Sequence, residues 1–495
     1  MTAVEAKQDT FDSLNPATDE LVGSHPIHTA DDVAAAVARA RDAADWWAGL
    51  GFAGRADRLQ RWKGVLTRRA AQLAEVVHAE TGKPHADAML EIILAIDHTS
   101  WAAKNASKVL GRKRRPAGLL MSNHAATVEF LPLGVVGVIG PWNYPVFTPM
   151  GSIAYALAAG NAVVFKPSEY TPGVGRWLVD SFAEVVPERP VFQQVTGFGE
   201  TGAALCRAGV DKLAFTGSPA TGKKIMAACA ETLTPVLIEA GGKDALLVDV
   251  DADVEAAADA AVWGGMSNAG QTCVGVERVY VHEKVYDSFV AKVVEVAKDV
   301  RAGADAGAQI GPITMPGQLK IIQRHIADAL ARGGRALVGG ADAVGERFVQ
   351  PTVLVDVPED SAAVREETFG PTLTIAKVAD MDEAVEKAND SRYGLAAAVF
   401  SKRRGMELAR RLRSGMTSIN GVISFAGIPS LPFGGVGESG FGRIHGQEGL
   451  KEFARPKAIA RQRFKAPLVL TTFSRTAKTD ATVAKLVTLL HGKRR

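Results

Sequence analysis

Cysteine is scarce in this chain of 495 residues: three occur, Cys206, Cys229 and Cys273. An odd number with neither metal nor redox spacing excludes a disulfide framework, and each reads first as a small buried hydrophobe. Aromatic residues reach only 6%, too few for an aromatic-rich binding module. An excess of one charge is also missing. Lys and Arg number 57 against 54 Asp and Glu, a net charge of +3, which gives no electrostatic reason to expect a nucleic-acid partner. Long apolar runs are absent. The stretch 131–140 falls well short of the ~20 residues a spanning helix needs, so no transmembrane segment is expected. The N-terminal MTAVEAKQDT lacks the apolar core of a secretion signal, and the cytoplasm is the expected compartment. His25 and His28 are separated by Pro26 and followed by no carboxylate–histidine cluster. They read as solvated loop residues, and no metal site is expected.

What remains is ordinary globular material, 47% hydrophobic and 22% charged, with 50 glycines, which favours an α/β enzyme with many tight turns. Thr29 followed by Asp31 and Asp32 reads as a helix start. Val33, Val37, Ala40, Ala44 and Trp47 then recur at helical spacing. Further helices are expected over about 54–80 and 86–110, and the basic run Arg112–Arg115 reads as a solvated loop. From Ala125 short β runs alternate with helices: 127–132, 134–140, 162–165, 191–195, 212–215 and 236–238. A second series follows at 245–248, 278–281, 372–375 and 397–400. This alternation indicates two doubly wound, Rossmann-like α/β domains with a cleft between them.

Two stretches spell G-x-G-x-x-G, one from Gly197 to Gly202 and one from Gly435 to Gly440. Among 50 glycines such matches arise easily. A better phosphate cradle is the strand-to-helix turn at Gly217 and Ser218, where free N–H groups and the positive end of a helix would meet an anion.

Four segments read together are more specific: Pro141-Trp142-Asn143-Tyr144-Pro145, Lys166-Pro167-Ser168-Glu169, Glu239-Ala240-Gly241-Gly242-Lys243 and Asn268-Ala269-Gly270-Gln271-Thr272-Cys273. In this order, with Glu367-Thr368-Phe369-Gly370-Pro371 and the glycine-rich segment 431–442, the chain resembles the NAD(P)-dependent aldehyde dehydrogenase superfamily over residues 11–460. The one departure noted is Ala240, where the family usually has Leu. The segments 222–227 and 233–236, and 431–435 with His445-Gly446, look closest to the class 3 and fatty-aldehyde branch.

The resemblance implies an NAD(P)-binding domain over 1–120 and 136–245 and a catalytic domain over 246–452. It further implies a small β oligomerisation element with the C-terminal tail, 121–135 and 453–495, and a homodimer or homotetramer. It implies Cys273 as the nucleophile, Glu239 as the base that activates the hydrolytic water, and Asn143 as an oxyanion donor. These residue types suit the chemistry. Hydride transfer from an aldehyde needs a tetrahedral carbon bearing an oxyanion, so a nucleophile must add first. A carboxylate at the end of an apolar strand is partly desolvated and therefore a better base. Around the cofactor the resemblance places Trp142, Lys166, Ser168, Glu169, Gly217, Ser218, Glu367 and Phe369. NAD is expected to be preferred, with NADP accepted less well, because Glu169 beside the adenosine ribose accepts a bond from a free 2′-hydroxyl and repels a 2′-phosphate. At about 4 Å and an effective dielectric near 20 that repulsion approaches ~4 kcal/mol before Lys166 or rotation relieves it.

Other classes fit less well. A CoA-acylating relative would lack a Glu at position 239, a cysteine hydrolase would need a histidine partner that no motif supplies, and a scaffold without activity would be expected to lose Cys273, Glu239 or Asn143. Val146, Met150, Phe425 and Ile428 suggest an apolar funnel for medium or long aliphatic or aromatic aldehydes, with Arg278 the nearest cation in sequence to Cys273. At the C-terminus Val483, Leu486, Val487 and Leu490 form an apolar stripe flanked by basic residues. It is expected to pack on the protein's own oligomer, with a membrane-surface helix as the alternative.

Overall fold

A computed structural model describes residues 9–466 and 469–492. The chain divides into two compact units, residues 1–110 with 131–455, and residues 111–130 with 456–495. The larger unit holds two parallel sheets. In the six-stranded first sheet the order is Gly440–Phe441, Val236–Ala240, Lys212–Gly217, Val135–Ile139, Ala162–Lys166 and Phe192–Gln194. Only the short Gly440–Phe441 strand runs antiparallel to its neighbour. The second sheet has seven strands: Arg335–Val338, Thr352–Val355, Thr372–Val378, Val276–His282, Asp244–Val248, Ala396–Phe400 and Met416–Ile419. All of its pairs are parallel except the first. Parallel strands need both faces covered, and the sequence reads accordingly: all five residues of Ala162–Lys166 and of Asp244–Val248 are buried.

Helix Phe147–Ala159 is buried at every one of its 13 positions, as expected of a helix apolar all round. Helix Ala30–Gly49 begins in a reciprocal capping box between Thr29 and Asp32. Its Trp47 donates to the Leu157 carbonyl at 2.9 Å, and Trp62 donates to Ser181 Oγ at the same distance. These bonds let two large rings be buried without stranding their N–H groups.

Two local expectations change, and one pair of residues expected to be buried meets unexpectedly. The helix expected over 54–80 is two helices, Gly51–Arg68 and Ala70–Thr81, because Arg69 leaves the helical region (φ −112°, ψ 18°). His25 belongs to the strand Leu21–Pro26, and His28 Nδ1 lies 3.1 Å from Thr196 Oγ1, so neither is a free loop residue. Cys206 and Cys229, unrelated in spacing, meet side by side as free thiols between two helices, Gly199–Arg207 and Pro219–Ala230.

The smaller unit contains a three-stranded sheet in the order Ala454–Gln462, His124–Pro132, Lys113–Arg115. The basic run expected to be loop therefore contributes a strand. A C-terminal helix, Ala477–His491, has no buried residue. Among the described residues no helix is long and apolar enough to cross a membrane, and no cluster of side chains could hold a metal ion.

Candidate active site

Strand Val236–Ala240 of the first sheet carries Glu239, and Gly241-Gly242-Lys243 leads directly into strand Asp244–Val248 of the second. The carboxylate therefore stands where the chain passes between the sheets. Gly241 leaves the space that the Glu367 carboxylate fills, since a Cβ would lie 2.0 Å from Glu367 Oε1 and the carboxylate would have to move. The approach lets Glu367 accept from the Gly242 N–H at 2.9 Å. Cys273 reaches the same place from the second sheet. Helix Val254–Met266 ends, and Asn268, Ala269 and Gly270 take successive left-handed conformations (φ 52°, 55° and 70°) before the strand Val276–His282 begins. Two non-glycine residues in that region cost about 1–3 kcal/mol each, and such strain persists only where the surroundings enforce it. Here they do: a Cβ on Gly270 would lie 2.1 Å from the Gly370 backbone, while Gln271 Nε2 donates to the carbonyls of Asn268 and Pro312.

Glu239 is 2% exposed, and neither carboxylate oxygen has a hydrogen-bond partner among the described residues. Burial pushes its carboxyl up to about 8, with the Cys273 thiol and Thr216 hydroxyl close enough to pull weakly the other way. Burial and the neighbouring carboxylates of Glu239, Glu367 and Asp244 push the Cys273 thiol up. Glu367 likewise rises to about 8 through burial and the nearby Glu277.

Asn143 lies on the loop after strand Val135–Ile139 and is hydrogen-bonded to the segment that leads to Cys273. Its Nδ2 donates to the Gln271 carbonyl at 2.9 Å, which leaves its second proton free for another acceptor. Its own carbonyl accepts from Lys83 Nζ at 2.6 Å and Asn268 Nδ2 at 3.1 Å. Lys83 is fully buried and paired with Glu91 at 2.9 Å, whose other oxygen accepts from the Val146 and Phe147 N–H groups. A second buried pair, Lys243 with Glu277, holds the opposite wall. Glu277 accepts from the N–H groups of Thr368 and Phe369, and Lys243 donates to Thr368 Oγ1. Sequence reading passed over Lys83, Glu91 and Glu277, since lone charges in helices and strands carry no pattern. The only available hint was that Lys83, like Lys243, follows a glycine.

The residues expected to hold cofactor gather at the carboxyl ends of the first sheet. Lys166 is 5% exposed; its Nζ donates to the Pro167 carbonyl at 3.1 Å and lies 3.9 Å from Glu169 Oε2, with donor capacity to spare. Ser168 Oγ is 3.4 Å from Glu169. Glu169 also borders an open groove of about 1280 Å³ shared with Tyr170 and Phe198. Ser218 caps helix Pro219–Ala230 by accepting from the Thr221 N–H. A Cβ on Gly217 would lie 2.5 Å from the Phe215 ring, so the turn needs glycine there. Trp142 and Phe369 meet edge-on at 5.5 Å. A spare buried cation, a half-exposed carboxylate and a capped helix start fit a nucleotide with phosphates and a ribose diol.

A pocket of about 730 Å³, open on one side, is lined by Cys273, Thr272 and mostly apolar side chains, among them Leu90, Leu94, Phe147, Trp263, Phe433 and Ile444. Among the described residues the only formally charged ones in its lining are Asp87 and Glu91. The four funnel residues inferred from sequence do not line it. Val146 and Met150 are buried, Phe425 packs on Phe433, and Ile428 is exposed. Part of the wall comes instead from helix His85–Leu110, which nothing in sequence ties to Cys273. Arg278 is turned inward, donating to the Lys243 and Ala388 carbonyls. Behind the wall lie two buried histidines, His98 and His445, with ring centres 3.8 Å apart; burial holds both well below the usual imidazole range.

The aldehyde dehydrogenase family model matches residues 3–459, and the chain belongs to that family. A 4,4'-diapolycopene aldehyde oxidase of Methylomonas is 38% identical over 463 residues, 92% of this chain and 87% of that protein. Among solved structures, the NAD-dependent aldehyde dehydrogenase of Sinorhizobium meliloti superposes with a TM-score of 0.89 at 33% identity, over 94% of this chain and 93% of the other. The succinate-semialdehyde dehydrogenase of Burkholderia pseudomallei gives 0.87 at 34%, over 92% and 95%. The protein is thus an oxidoreductase that oxidises aldehydes with NAD(P). The class 3 branch is not singled out by these relatives.

Proposed function

We propose that this enzyme converts apolar aldehydes, medium- or long-chain aliphatic or aromatic, to carboxylic acids through a thioacyl intermediate on Cys273. The observation that carries the reading is Glu239: a fully buried carboxylate with no hydrogen-bond partner among the described residues, beside the Cys273 thiol. An unsatisfied buried carboxyl is costly to fold and is explained by a proton it must take and give. Cys273 Sγ, its proton released to solvent, adds to the carbonyl carbon. The spare Asn143 Nδ2 proton and the Cys273 backbone N–H meet the resulting oxyanion, an interaction typically worth about 3 kcal/mol in the transition state. The nicotinamide cofactor, when bound, accepts the hydride. Glu239 then takes a proton from water, whose oxygen attacks the thioacyl carbon. The C–S bond breaks, releasing the acid and the Cys273 thiolate.

Trp142, Lys166, Ser168, Glu169, Gly217, Ser218, Glu367 and Phe369 would hold the cofactor, with NAD preferred over NADP. Copies would assemble as a dimer or tetramer through the small sheet, and the domain division set out from the sequence belongs to the same reading. The pocket's apolar lining and its lack of any lining cation support an uncharged substrate tail over that of a dicarboxylic semialdehyde.

The test is a panel of hexanal, benzaldehyde and succinate semialdehyde with each cofactor, on wild type and three single variants. Cys273→Ala is expected to lose at least about 10³-fold in kcat, and Cys206→Ala and Cys229→Ala to keep normal turnover. Normal turnover by the Cys273 variant would overturn the mechanism. A higher kcat/KM for succinate semialdehyde than for hexanal would overturn the substrate class alone.

A further inference from the structure

The net charge of +3 conceals a partition that follows the two compact units. Residues 111–130 and 456–495 hold 14 Lys and Arg against two acids, Glu129 and Asp480, a net +12. The other unit keeps 43 basic and 52 acidic residues, a net −9. This is the clustered basic excess that the whole-chain count gave no sign of. Part of it lies beyond the family-matched segment, which ends at residue 459: from 460 onward there are nine basic residues and one acid.

The same small unit exposes aliphatic side chains in two groups, each next to basic residues. Leu119, Leu120 and Met121 form a tight turn with nothing buried, shortly after Arg112–Arg115. Hydrogen bonds tie that turn to the start of the tail: the Arg463 N–H donates to the Asn123 carbonyl at 2.8 Å, Arg463 Nη2 to the Ser122 carbonyl at 2.9 Å, and Asn123 Nδ2 to the Phe464 carbonyl at 3.1 Å. The second group is on helix Ala477–His491, which Thr476 caps by accepting from the Thr479 N–H. Val483, Leu486, Val487 and Leu490 share one face by their spacing, Val487 and Leu490 exposed and Val483 and Leu486 half-buried, with Lys478 and Lys485 on the other. The single acid of the tail, Asp480, is neutralised by Arg475 at 2.8 Å. A helix of 15 residues that buries none of them is close to the shortest that persists in water, so its apolar face calls for a cover.

We propose that this basic unit binds an anionic lipid bilayer, with the C-terminal helix lying in the plane of the interface. Three physical arguments favour lipid over the other surfaces that could cover the stripe. A bilayer is fluid and accepts scattered aliphatic groups without shape complementarity, whereas a protein interface needs a packed core and is depleted in lysine. Basic residues beside aliphatic ones satisfy both layers of a membrane surface, headgroup charge and acyl boundary. Nucleic acid would engage the charges but offers nothing to Leu486 or Leu490.

Co-sedimentation of the full chain with vesicles tests this. Vesicles of phosphatidylcholine with about 30% phosphatidylglycerol should carry the protein down, and pure phosphatidylcholine should bind it at least about 10-fold more weakly. Binding should fall by a similar factor near 1 M NaCl, where the screening length drops to about 3 Å. The variants L486E/L490E and K478E/K485E should each lose at least about 10-fold, with hexanal turnover and the mass by light scattering unchanged. Three results would overturn the proposal: no sedimentation with anionic vesicles, equal binding to pure phosphatidylcholine, or retained binding by L486E/L490E. A changed mass for that variant would overturn it in favour of a second copy on the stripe. Tight duplex-DNA binding untouched by L486E/L490E, without vesicle binding, would overturn it in favour of nucleic acid.

Discussion

Two parts of the site are built on opposite principles. Where Glu239 and Cys273 meet, position is set by backbone atoms and buried ion pairs. Gly270 lies against the Gly370 backbone with no tolerance for a methyl group, Gly241 leaves room for Glu367, and the Lys83–Glu91 and Lys243–Glu277 pairs hold the walls. Along the nucleotide edge, Lys166 and Glu169 sit 3.9 Å apart with Glu169 half open to solvent, and Ser218 caps an exposed helix start. The first arrangement fails abruptly when one atom is added, because a close-packed interior cannot give way. The second is graded, because water screens and long side chains rotate. Chemistry is placed where geometry is enforced, and cofactor selectivity where it can be adjusted.

The contrast is sharpest at Gly270. Gly270→Ala should drive a methyl group into the Gly370 backbone and place a side chain on a left-handed residue (φ 70°), displacing the turn that leads to Cys273. The expected result is a loss of at least about 2 kcal/mol of stability and about 10³-fold in kcat, read by denaturant titration and steady-state kinetics. Near-normal values for both would show the junction to be as adaptable as the nucleotide edge.

Glu239→Gln should come next, losing about 10²- to 10³-fold in kcat while a burst of reduced cofactor persists. Mass spectrometry should find Cys273 acylated. Because the carboxyl is raised to about 8, wild-type deacylation should increase as pH rises through that value, and the variant should show no such limb. Stability should move the other way. A carboxyl raised in the folded state keeps a proton that the unfolded chain has already lost, so wild-type stability falls as pH rises from about 4.5 to about 8. The glutamine variant should lose less over that window, by about 2 °C in Tm or more. Absence of an acyl-enzyme would assign Glu239 only to activating Cys273.

The smallest effect belongs to the edge. Glu169→Gln should narrow the preference for NAD by less than about 10-fold, chiefly through the KM for NADP, since Lys166 already offsets part of the repulsion. Wild-type enzyme with the higher kcat/KM on NADP, or an unchanged ratio in the variant, would break the argument from charge.

Much of this molecule could be read before folding. The βα alternation describes both sheets because strands buried on both faces are written as unbroken apolar runs. The motifs that end at Glu239 and Cys273 announce themselves because they combine glycines at enforced contacts with a single reactive side chain. Tertiary structure decided the rest. The pocket wall belongs to Leu90, Leu94 and Trp263 rather than to Val146 and Met150, because residues adjacent in sequence to a motif turn inward as readily as outward. Lys83 and Glu91 gain their role only from the loop they hold, 60 and 55 residues away respectively. The charge partition lay open in the sequence, yet a whole-chain total of +3 averages it away. Only the fold shows that 111–130 and 456–495 form one body, because a unit assembled from two distant segments has no signature in either alone.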